Sequence, residues 1–332
     1  MGHRPAHRLT VRWGIAGTGI IAAAFVAAAA EVEDAEIVAV SSGSAERAAA
    51  FATRHGIATA VPGHLDLAAM GGLDALYVAT TNDLHHDVSI AALRRGIAVL
   101  CEKPVALDAA SARAMVAASR DAGVFFMEAM WMVFQPSFLL LRRLLEEGLI
   151  GEPAHVSADF GFVERHGPGR RWLEPRQGGG SLLDVGIYPV TLARAVLGPV
   201  ATVDATGVIG PTGVDLQVAM ALGHAGGGTS SLASSLMADM GVAATVSGGE
   251  GHITLHSPFH HSPRVTVHRG DDLVAEHDTS YPGSGYRWEI EEVHRCLAAG
   301  RIESEVVPHA ATIEVMDVLD RVRERLGLEY PA

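Results

Sequence analysis

Apolar residues in the first 130 positions form short continuous runs that alternate with stretches of helical periodicity. The runs EIVAVSS, LDALYVATT, IAVLCEK and VFFMEAM are apolar almost throughout, as strands covered on both faces are. Between them lie SAERAAAFATRHG, a stretch around HHDVSIAALRRG, and DAASARAMVAASRDAG, whose apolar positions recur at helical spacing. This alternation predicts a doubly wound parallel sheet with helices on both faces, closing near residue 127.

From about Ala154 the pattern changes to longer strands joined by glycine-rich turns. AHVSADFGF, ATVDATGVIG, LQVAMALGHAGGGTSSLASSLMA, VAATVSGGEGHITLH, RVTVHRG and DLVAEHD predict a large, open, mostly antiparallel sheet. GHAGGG lacks the Lys-Ser/Thr of a P-loop and is read as a hairpin turn. Helices are predicted near residues 180–197, 287–299 and 309–326. We therefore expect a Rossmann domain over residues 1–127 and an α+β domain over 128–332 for substrate binding and oligomerisation, whose last helix packs back toward the first domain.

The opening stretch VRWGIAGTGIIAAAFVAAAAE has two interpretations. It follows a basic start and ends in alanines, as a secretory signal peptide does. It also contains Gly17, Gly19 and Ala22 in the order G-x-G-x-x-A, between a β-branched run and a helical pattern. In a dinucleotide-binding turn the first glycine permits the bend, the second lets a phosphate approach, and the third small residue lets helix and strand pack closely. The strands and helices that follow favour this second interpretation.

Composition narrows the class of protein. The 332 residues suit two domains, and 48% hydrophobic with 19% charged residues indicates a soluble globular chain. A formal net charge of -13 and the lack of a basic cluster argue against nucleic acid as a partner, and no membrane partner is expected. The only cysteines, Cys101 and Cys296, are interpreted as buried free thiols in a reducing cytoplasm.

Polar residues at the ends of the predicted strands are the first candidates for chemistry, because ligands of doubly wound sheets lie there. Lys103 of CEKP could contact a substrate hydroxyl and lower the pKa of a neighbouring acid, although a solvated surface lysine fits the pattern equally well. In QGGGSLLDVGIYPV, Asp184 and Tyr188 are an i, i+4 pair on one helical face. A phenol exchanges protons at neutral pH only beside a cation, and Lys103 could be that cation.

The runs GIAGTGIIA, TNDLHH, CEKP and GGGSLLDVGIYPV together resemble the Gfo/Idh/MocA oxidoreductase family. FFMEAMW, ADFGF and GGGSLLDVGIYPVTLA most resemble its branch of dimeric dihydrodiol dehydrogenases and D-xylose dehydrogenases. The similarity extends along essentially the whole chain, to IESEVVPHAATIEVMDVLDRVRERLGLEYP.

The resemblance implies roles for particular residues. Lys103, Asp184 and Tyr188 would line the place where the nicotinamide meets a sugar or polyol carbon, with the phenol exchanging the hydroxyl proton. Thr81 stands where the family usually has proline, which affects only the stiffness of that loop. The candidate coenzyme contacts are Gly17, Gly19, Ile20, Ile21, Ser42, Arg47, Thr80, Asn82, His85, Glu102 and Lys103. Apart from the resemblance, Trp131 and Trp172 could be walls of the substrate pocket, although core packing fits them equally well. Arg171 could recognise hydroxyls, although a solvated loop residue fits it better, and no metal site is expected.

The end of the second predicted strand bears on the form of the coenzyme. An acidic residue there would bind the adenosine 2′-hydroxyl, but the position is Ser42, with Arg47 shortly after it. Hydroxyls and a guanidinium suit a 2′-phosphate, which favours NADP over NAD. Gly43 occupies the position where an arginine would have strengthened this preference.

Two functions remain open at this point. The first is an NAD(P)-dependent oxidoreductase that transfers hydride between nicotinamide and the hydroxyl or carbonyl carbon of a sugar, polyol or cyclic diol. The second is a catalytically silent nucleotide-sensing protein of the same fold. A sensor has no need of a lysine, a carboxylate and a phenol together, which favours the enzyme. A free sheet face rich in Val, Leu and Met would make the chain a homodimer or a dimer of dimers.

Overall fold

The computed structural model describes residues 10–165, 167 and 169–330, so the basic start of the chain lies outside the described residues. Its strands are β1 Val11–Ala16, β2 Ala35–Ser42, β3 Thr59–Pro62, β4 Ala75–Val78, β5 Ala98–Glu102, β6 Phe126–Ala129, β7 Pro153–Gly161, β8 Val200–Ile209, β9 Asp215–His224, β10 Thr229–Ser235, β11 Ala244–Gly248, β12 His252–Leu255, β13 Arg264–Arg269 and β14 Asp272–Asp278. Its α-helices are α1 Ile20–Ala29, α2 Ala45–His55, α3 His64–Ala69, α4 His85–Leu93, α5 Ala109–Ala122, α6 Pro136–Glu146, α7 Ile187–Leu197, α8 Arg287–Ala298 and α9 His309–Leu326.

The chain divides into two compact units, each made of three segments. The first contains Met1–Val105, Arg113–Trp131 and Gly283–His309, and the second contains Ala106–Ala112, Met132–Pro282 and Ala310–Ala332. This division differs from the single boundary expected at residue 127. The helix that returns to the first unit is α8, whereas the last helix, α9, belongs almost entirely to the second.

A six-stranded parallel sheet forms the centre of the first unit. Its strand order is β3-β2-β1-β4-β5-β6, so the order reverses between β1 and β4, as in doubly wound dinucleotide-binding folds. Strands β4, β5 and β6 are buried at every position, which accounts for their continuous apolar runs. The predicted Rossmann sheet is confirmed, and the signal-peptide interpretation of the opening stretch is excluded because β1 lies in the middle of this sheet.

Helix α8 belongs to the first unit through contacts that span most of the sequence. The indole Nε1 of Trp13 in β1 donates a hydrogen bond to His294 Nε2 at 3.1 Å. Near the start of the helix, Arg287 pairs with Glu31 at 3.5 Å. Farther on, the main-chain N–H of Phe126 donates to the carbonyl of Ile302. Contacts between residues this far apart cannot be predicted from a local sequence pattern.

The second unit is built on an eight-stranded sheet in the order β14-β13-β12-β11-β7-β10-β9-β8. Only the central β7–β10 pair is parallel, so the predicted mostly antiparallel sheet is confirmed. Along β9, Val218, Met220 and Leu222 are buried, while Ala219 and Ala221 between them are exposed. On this strand the exposed positions are therefore alanines, whereas the sequence pattern led us to expect a free face rich in Val, Leu and Met.

The helix predicted near residues 180–197 begins with a π-helical turn, Leu182–Gly186, and continues as α7. Pro189 lacks the main-chain N–H of a regular helix, which favours a wider turn just before it. The segment Pro175–Leu197 is long and apolar enough to cross a membrane, but 72% of its most apolar stretch is buried inside the protein. Burial in the second unit accounts for its apolar character.

Candidate active site

The turn between β1 and α1 requires glycine at position 17. Gly17 has a φ of 125°, and a Cβ there would lie 2.2 Å from the carbonyl oxygen of Ala79. Its N–H donates to the carbonyl of Ser41 at 3.0 Å, which fixes the turn against β2. The ends of β1, β2 and β4 can therefore approach closely only because position 17 has no side chain.

Gly19 keeps the start of α1 open. A Cβ built on it meets nothing within 4 Å, and as the N-cap it makes no side-chain hydrogen bond to the helix. The first N–H groups of α1 are therefore available to an anion, and the helix dipole favours negative charge at this end. Ile20 is 92% exposed at the same end, and Ile21 is half-buried. An exposed isoleucine beside open main-chain donors suits a dinucleotide, whose pyrophosphate and sugar would cover both.

Hydroxyl groups and one guanidinium follow β2. Arg47 Nε donates to Ser42 Oγ at 3.3 Å, and Thr18 Oγ1 lies 3.4 Å from the same oxygen. The nearest carboxylate in sequence, Glu46, accepts a hydrogen bond from Ser44 Oγ at 2.6 Å. Residues 42–45, where an NAD-specific site would hold a ribose hydroxyl, thus carry no carboxylate. The carboxylate of Asp66 in α3 lies against Gly63, whose N–H donates to the carbonyl of Ser42 at 2.9 Å.

The loop after β4 is fixed by His85. This ring is fully buried, with Nδ1 2.9 Å from the carbonyl oxygen of Pro104 and Nε2 3.4 Å from that of Thr80. Burial lowers the pKa of His85 to about 4, so the ring is neutral. In this structure His85 joins the loops that follow β4 and β5 rather than facing solvent. Thr80 is half-buried and Asn82 is buried in the same loop.

The end of β5 places Lys103 beside a buried acidic group. Tyr77 donates its hydroxyl proton to Glu102 Oε1, and the main-chain N–H of Lys103 donates to Glu102 Oε2 at 3.1 Å. Burial, and then the neighbouring Glu102, raise the pKa of Glu289 in α8 well above its ordinary value. Glu289 therefore favours its protonated form. The half-buried Lys103 directly follows Glu102, whose carboxyl accepts hydrogen bonds from Tyr77 and from the main chain of Lys103.

In the second unit, Asp184 lies in the π-helical turn and is paired with Arg171. Their closest atoms, Arg171 Nη2 and Asp184 Oδ1, are 2.8 Å apart, with the arginine side chain 46% exposed and the aspartate 9%. Arg171 also lies over the ring of Trp172, 5.1 Å from its centroid. One of the three candidate substrate residues, Arg171, thus meets the candidate catalytic aspartate directly, and Trp172 lies against that arginine.

Tyr188 follows one turn later and is 5% exposed. Its ring lies against Phe160 and His260, at centroid distances of 5.5 and 5.2 Å. Neither residue was a site candidate in the sequence, where ADFGF was read as part of a strand and of the family resemblance. Trp131, the third substrate candidate, belongs to the first unit and stacks on Tyr286 at 4.8 Å.

Asp215 supports the turn that carries Asp184. It is fully buried at the start of β9, and its Oδ2 accepts hydrogen bonds from Ser181 Oγ and from the main-chain N–H of Leu182, both at 2.7 Å. Burial raises the pKa of Asp215 to about 6 despite these donors. Gly180 must be glycine, because its φ is 114° and a Cβ would lie 2.1 Å from Asp215 Oδ1. The glycine run before Ser181 is therefore a fixed support for the helix rather than a flexible loop.

Comparison with known proteins agrees with this geometry. Residues 11–130 match the family described as "Oxidoreductase family, NAD-binding Rossmann fold", and residues 138–254 match the "GFO/IDH/MocA C-terminal domain". The chain is similar to the trans-1,2-dihydrobenzene-1,2-diol dehydrogenase of Xenopus laevis, with 33% identity over 97% of this chain and 100% of the relative. The human protein of the same name is 32% identical over 97% of this chain and 99% of the relative.

A solved structure extends the likeness to the whole fold. The aldose-aldose oxidoreductase of Caulobacter crescentus, complexed with glycerol, superposes with a TM-score of 0.85 and 25% identity, covering 95% of this chain and 97% of that one. The two family descriptions cover both the sheet that carries the glycine turn and the part of the second unit that contains Asp184 and Tyr188. The chain belongs to the Gfo/Idh/MocA family and is an NAD(P)-binding oxidoreductase.

Proposed function

We propose that this protein is an NADP-dependent dehydrogenase that oxidises a secondary hydroxyl of a vicinal diol or a sugar. The observation that carries the proposal is the turn at Gly17 and Gly19, with open main-chain donors at the start of α1 and a basic, hydroxyl-lined end of β2. The relatives named for a dihydrobenzene diol and for aldoses support a substrate with neighbouring hydroxyls. In the second unit, Phe160 beside Tyr188 and Trp172 beside Arg171 offer apolar ring surface suited to the flat side of such a ring.

The protein's own groups then bind, orient and move a proton. The main-chain N–H groups at the start of α1 hold the pyrophosphate, and Ser42 with Arg47 holds the adenosine end. Tyr188 takes up the hydroxyl proton, Asp184 orients the substrate hydroxyls with Arg171 as its counter-ion, and Lys103 supplies a positive charge that favours the oxyanion. The nicotinamide, when bound, supplies the hydride acceptor or donor.

The test is a coenzyme absorbance screen at 340 nm over cyclic trans-diols, aldoses and inositols, run with NADP and NAD in parallel. We expect turnover of at least one diol or aldose, with kcat/KM at least about tenfold higher for NADP, because the 2′-phosphate gives the Arg47 guanidinium an opposite charge that the 2′-hydroxyl of NAD lacks. Equal or better use of NAD would overturn the coenzyme assignment. Binding of coenzyme without turnover of any substrate would instead favour the nucleotide-sensing protein.

A homodimer in the cytoplasm completes the proposal. The exposed sheet face carries Ser157, Ala219, Ala221 and Ser231, which are small enough for a second sheet to approach closely. The buried free thiols Cys101 and Cys296 suit a reducing compartment. Light scattering on the eluting protein should give twice the chain mass of 34.8 kDa, and a monomer at micromolar concentration would exclude the dimer.

A further inference from the structure

His64, a residue that the sequence pattern did not single out, lies beside the hydroxyl and guanidinium groups at the end of β2. It is the first residue of α3, directly after the edge strand β3. Its Nδ1 is 2.9 Å from Ser41 Oγ, so the ring is held against the residue that precedes Ser42. Among the described residues, none makes a hydrogen bond to His64 Nε2. The ring therefore has a fixed orientation and one nitrogen that can still bind a ligand.

The two basic groups here are close enough to act on each other. Burial, and then the positive charge of Arg47, lower the pKa of His64 below its ordinary value, so the ring is neutral near pH 7. In the part of the chain that the structure describes, no carboxylate forms an ion pair with either group. A guanidinium, an imidazole and two serine hydroxyls without a paired carboxylate form the environment expected for a bound anion.

Several charged or titratable groups on the surrounding elements have partners elsewhere, and the carboxylate of Asp66 lies against Gly63. In α2, Glu46 accepts a hydrogen bond from Ser44. In α4, the buried His85 is bonded to the carbonyl of Pro104, and His86 pairs with Asp87 at 2.8 Å. Strand β3 contains no ionisable side chain, and Asp66 follows on α3 itself. None of these groups contributes to the shift of the His64 pKa, which comes from burial and then from Arg47.

We propose that His64 belongs, with Ser42 and Arg47, to the site of the adenosine 2′-phosphate, and that it takes up a proton when NADP binds. The proposal rests on the proposed function, since it requires the coenzyme to bind at the end of β2. A phosphate dianion beside His64 favours the charged imidazolium. By linkage, the affinity for NADP then rises as the pH falls through the range in which His64 titrates, and the affinity for NAD does not.

The experiment is a fluorescence titration with NADPH and NADH between pH 5.5 and 8.5, on the wild type and on His64→Asn. Asparagine can keep the hydrogen bond to Ser41 but never titrates. From pH 6 to pH 8 we expect the Kd of the wild type for NADPH to rise about five- to tenfold more than that of the variant, with NADH insensitive in both. The phosphate also titrates near pH 6, but it does so equally in both proteins, so their difference isolates His64.

Calorimetry supplies a second readout. At pH 7 the binding enthalpy of NADPH, measured in two buffers of different ionisation enthalpy, should show more proton uptake for the wild type than for His64→Asn. His64→Gln repeats the comparison should the first variant be unstable. Identical pH dependence in wild type and variant, or equal loss of NADH and NADPH affinity, would overturn the role of His64 and leave the proposed function intact. If neither coenzyme binds the wild type, the proposed function itself fails.

Discussion

Replacing Tyr188 with phenylalanine should lower kcat by about two to four orders of magnitude and leave the Kd for NADPH unchanged. The change removes only the hydroxyl, so the contacts of the ring with Phe160 and His260 remain. The groups proposed to hold the coenzyme all belong to the first unit, whereas Tyr188 belongs to the second, so binding and proton transfer should separate cleanly. Steady-state kinetics with NADP and coenzyme fluorescence measure the two quantities.

Tyr281→Phe is the matched control. The hydroxyl of Tyr281 donates to Gln135 Oε1 at 2.5 Å, and neither residue is part of the proposed site, so its loss should change kcat less than about twofold. Lys103→Met should also lower kcat, because it removes the charge that favours the oxyanion but keeps most of the side-chain volume. A Tyr188→Phe enzyme with undiminished kcat would show that another group exchanges the proton.

The sequence predicted the first sheet well because each buried strand is a short run of apolar residues that lies between polar or glycine-containing segments. It missed β3 and α3, which have only four and six residues and are therefore too short for periodicity to be visible. His64 lies in α3, so the missed helix also concealed a candidate ligand. Helix α6, PSFLLLRRLLE, was also missed, although Pro136 in its first turn is a typical start signal; the residue before it, Gln135, makes no side-chain cap to the helix.

Other features could not be predicted because they depend on contacts between distant residues. The alternation in LQVAMALGH separates Val218, Met220 and Leu222 from Ala219 and Ala221, but it does not say which set meets the helices. Asp215 stands where a turn leads into β9, and local sequence gives an aspartate there a solvated role. Only the folded chain places Ser181, 34 residues earlier, on its carboxylate. The sequence therefore indicated the candidate residues Asp184 and Tyr188 but not Asp215, which holds the turn before them.

Replacing Asp215 with asparagine should stabilise the protein at neutral pH and have little effect at pH 4. Burial raises the pKa of Asp215 from 3.8 to about 6, so the folded protein binds its proton more tightly than the unfolded chain does. The stability from this group is present below pH 3.8 and is lost as the pH rises through about 6. At 1.36 kcal/mol per pKa unit, the ionised carboxyl lowers the free energy of unfolding by about 3 kcal/mol at pH 7. Asparagine keeps an oxygen acceptor for Ser181 and Leu182 without the buried charge.

Urea denaturation of both proteins at pH 4, 5, 6 and 7.5 measures this difference. The free energy of unfolding of Asp215→Asn should exceed that of the wild type by an amount that grows with pH and levels off above about pH 7. Asp215→Ala gives the opposite sign, because Ser181 and Leu182 then lose their buried acceptor, at a cost of about 2 to 5 kcal/mol. A stability difference between the wild type and Asp215→Asn that does not vary with pH would mean that Asp215 titrates in the folded protein as it does in the unfolded chain. The buried carboxylate would then not destabilise the folded protein at neutral pH.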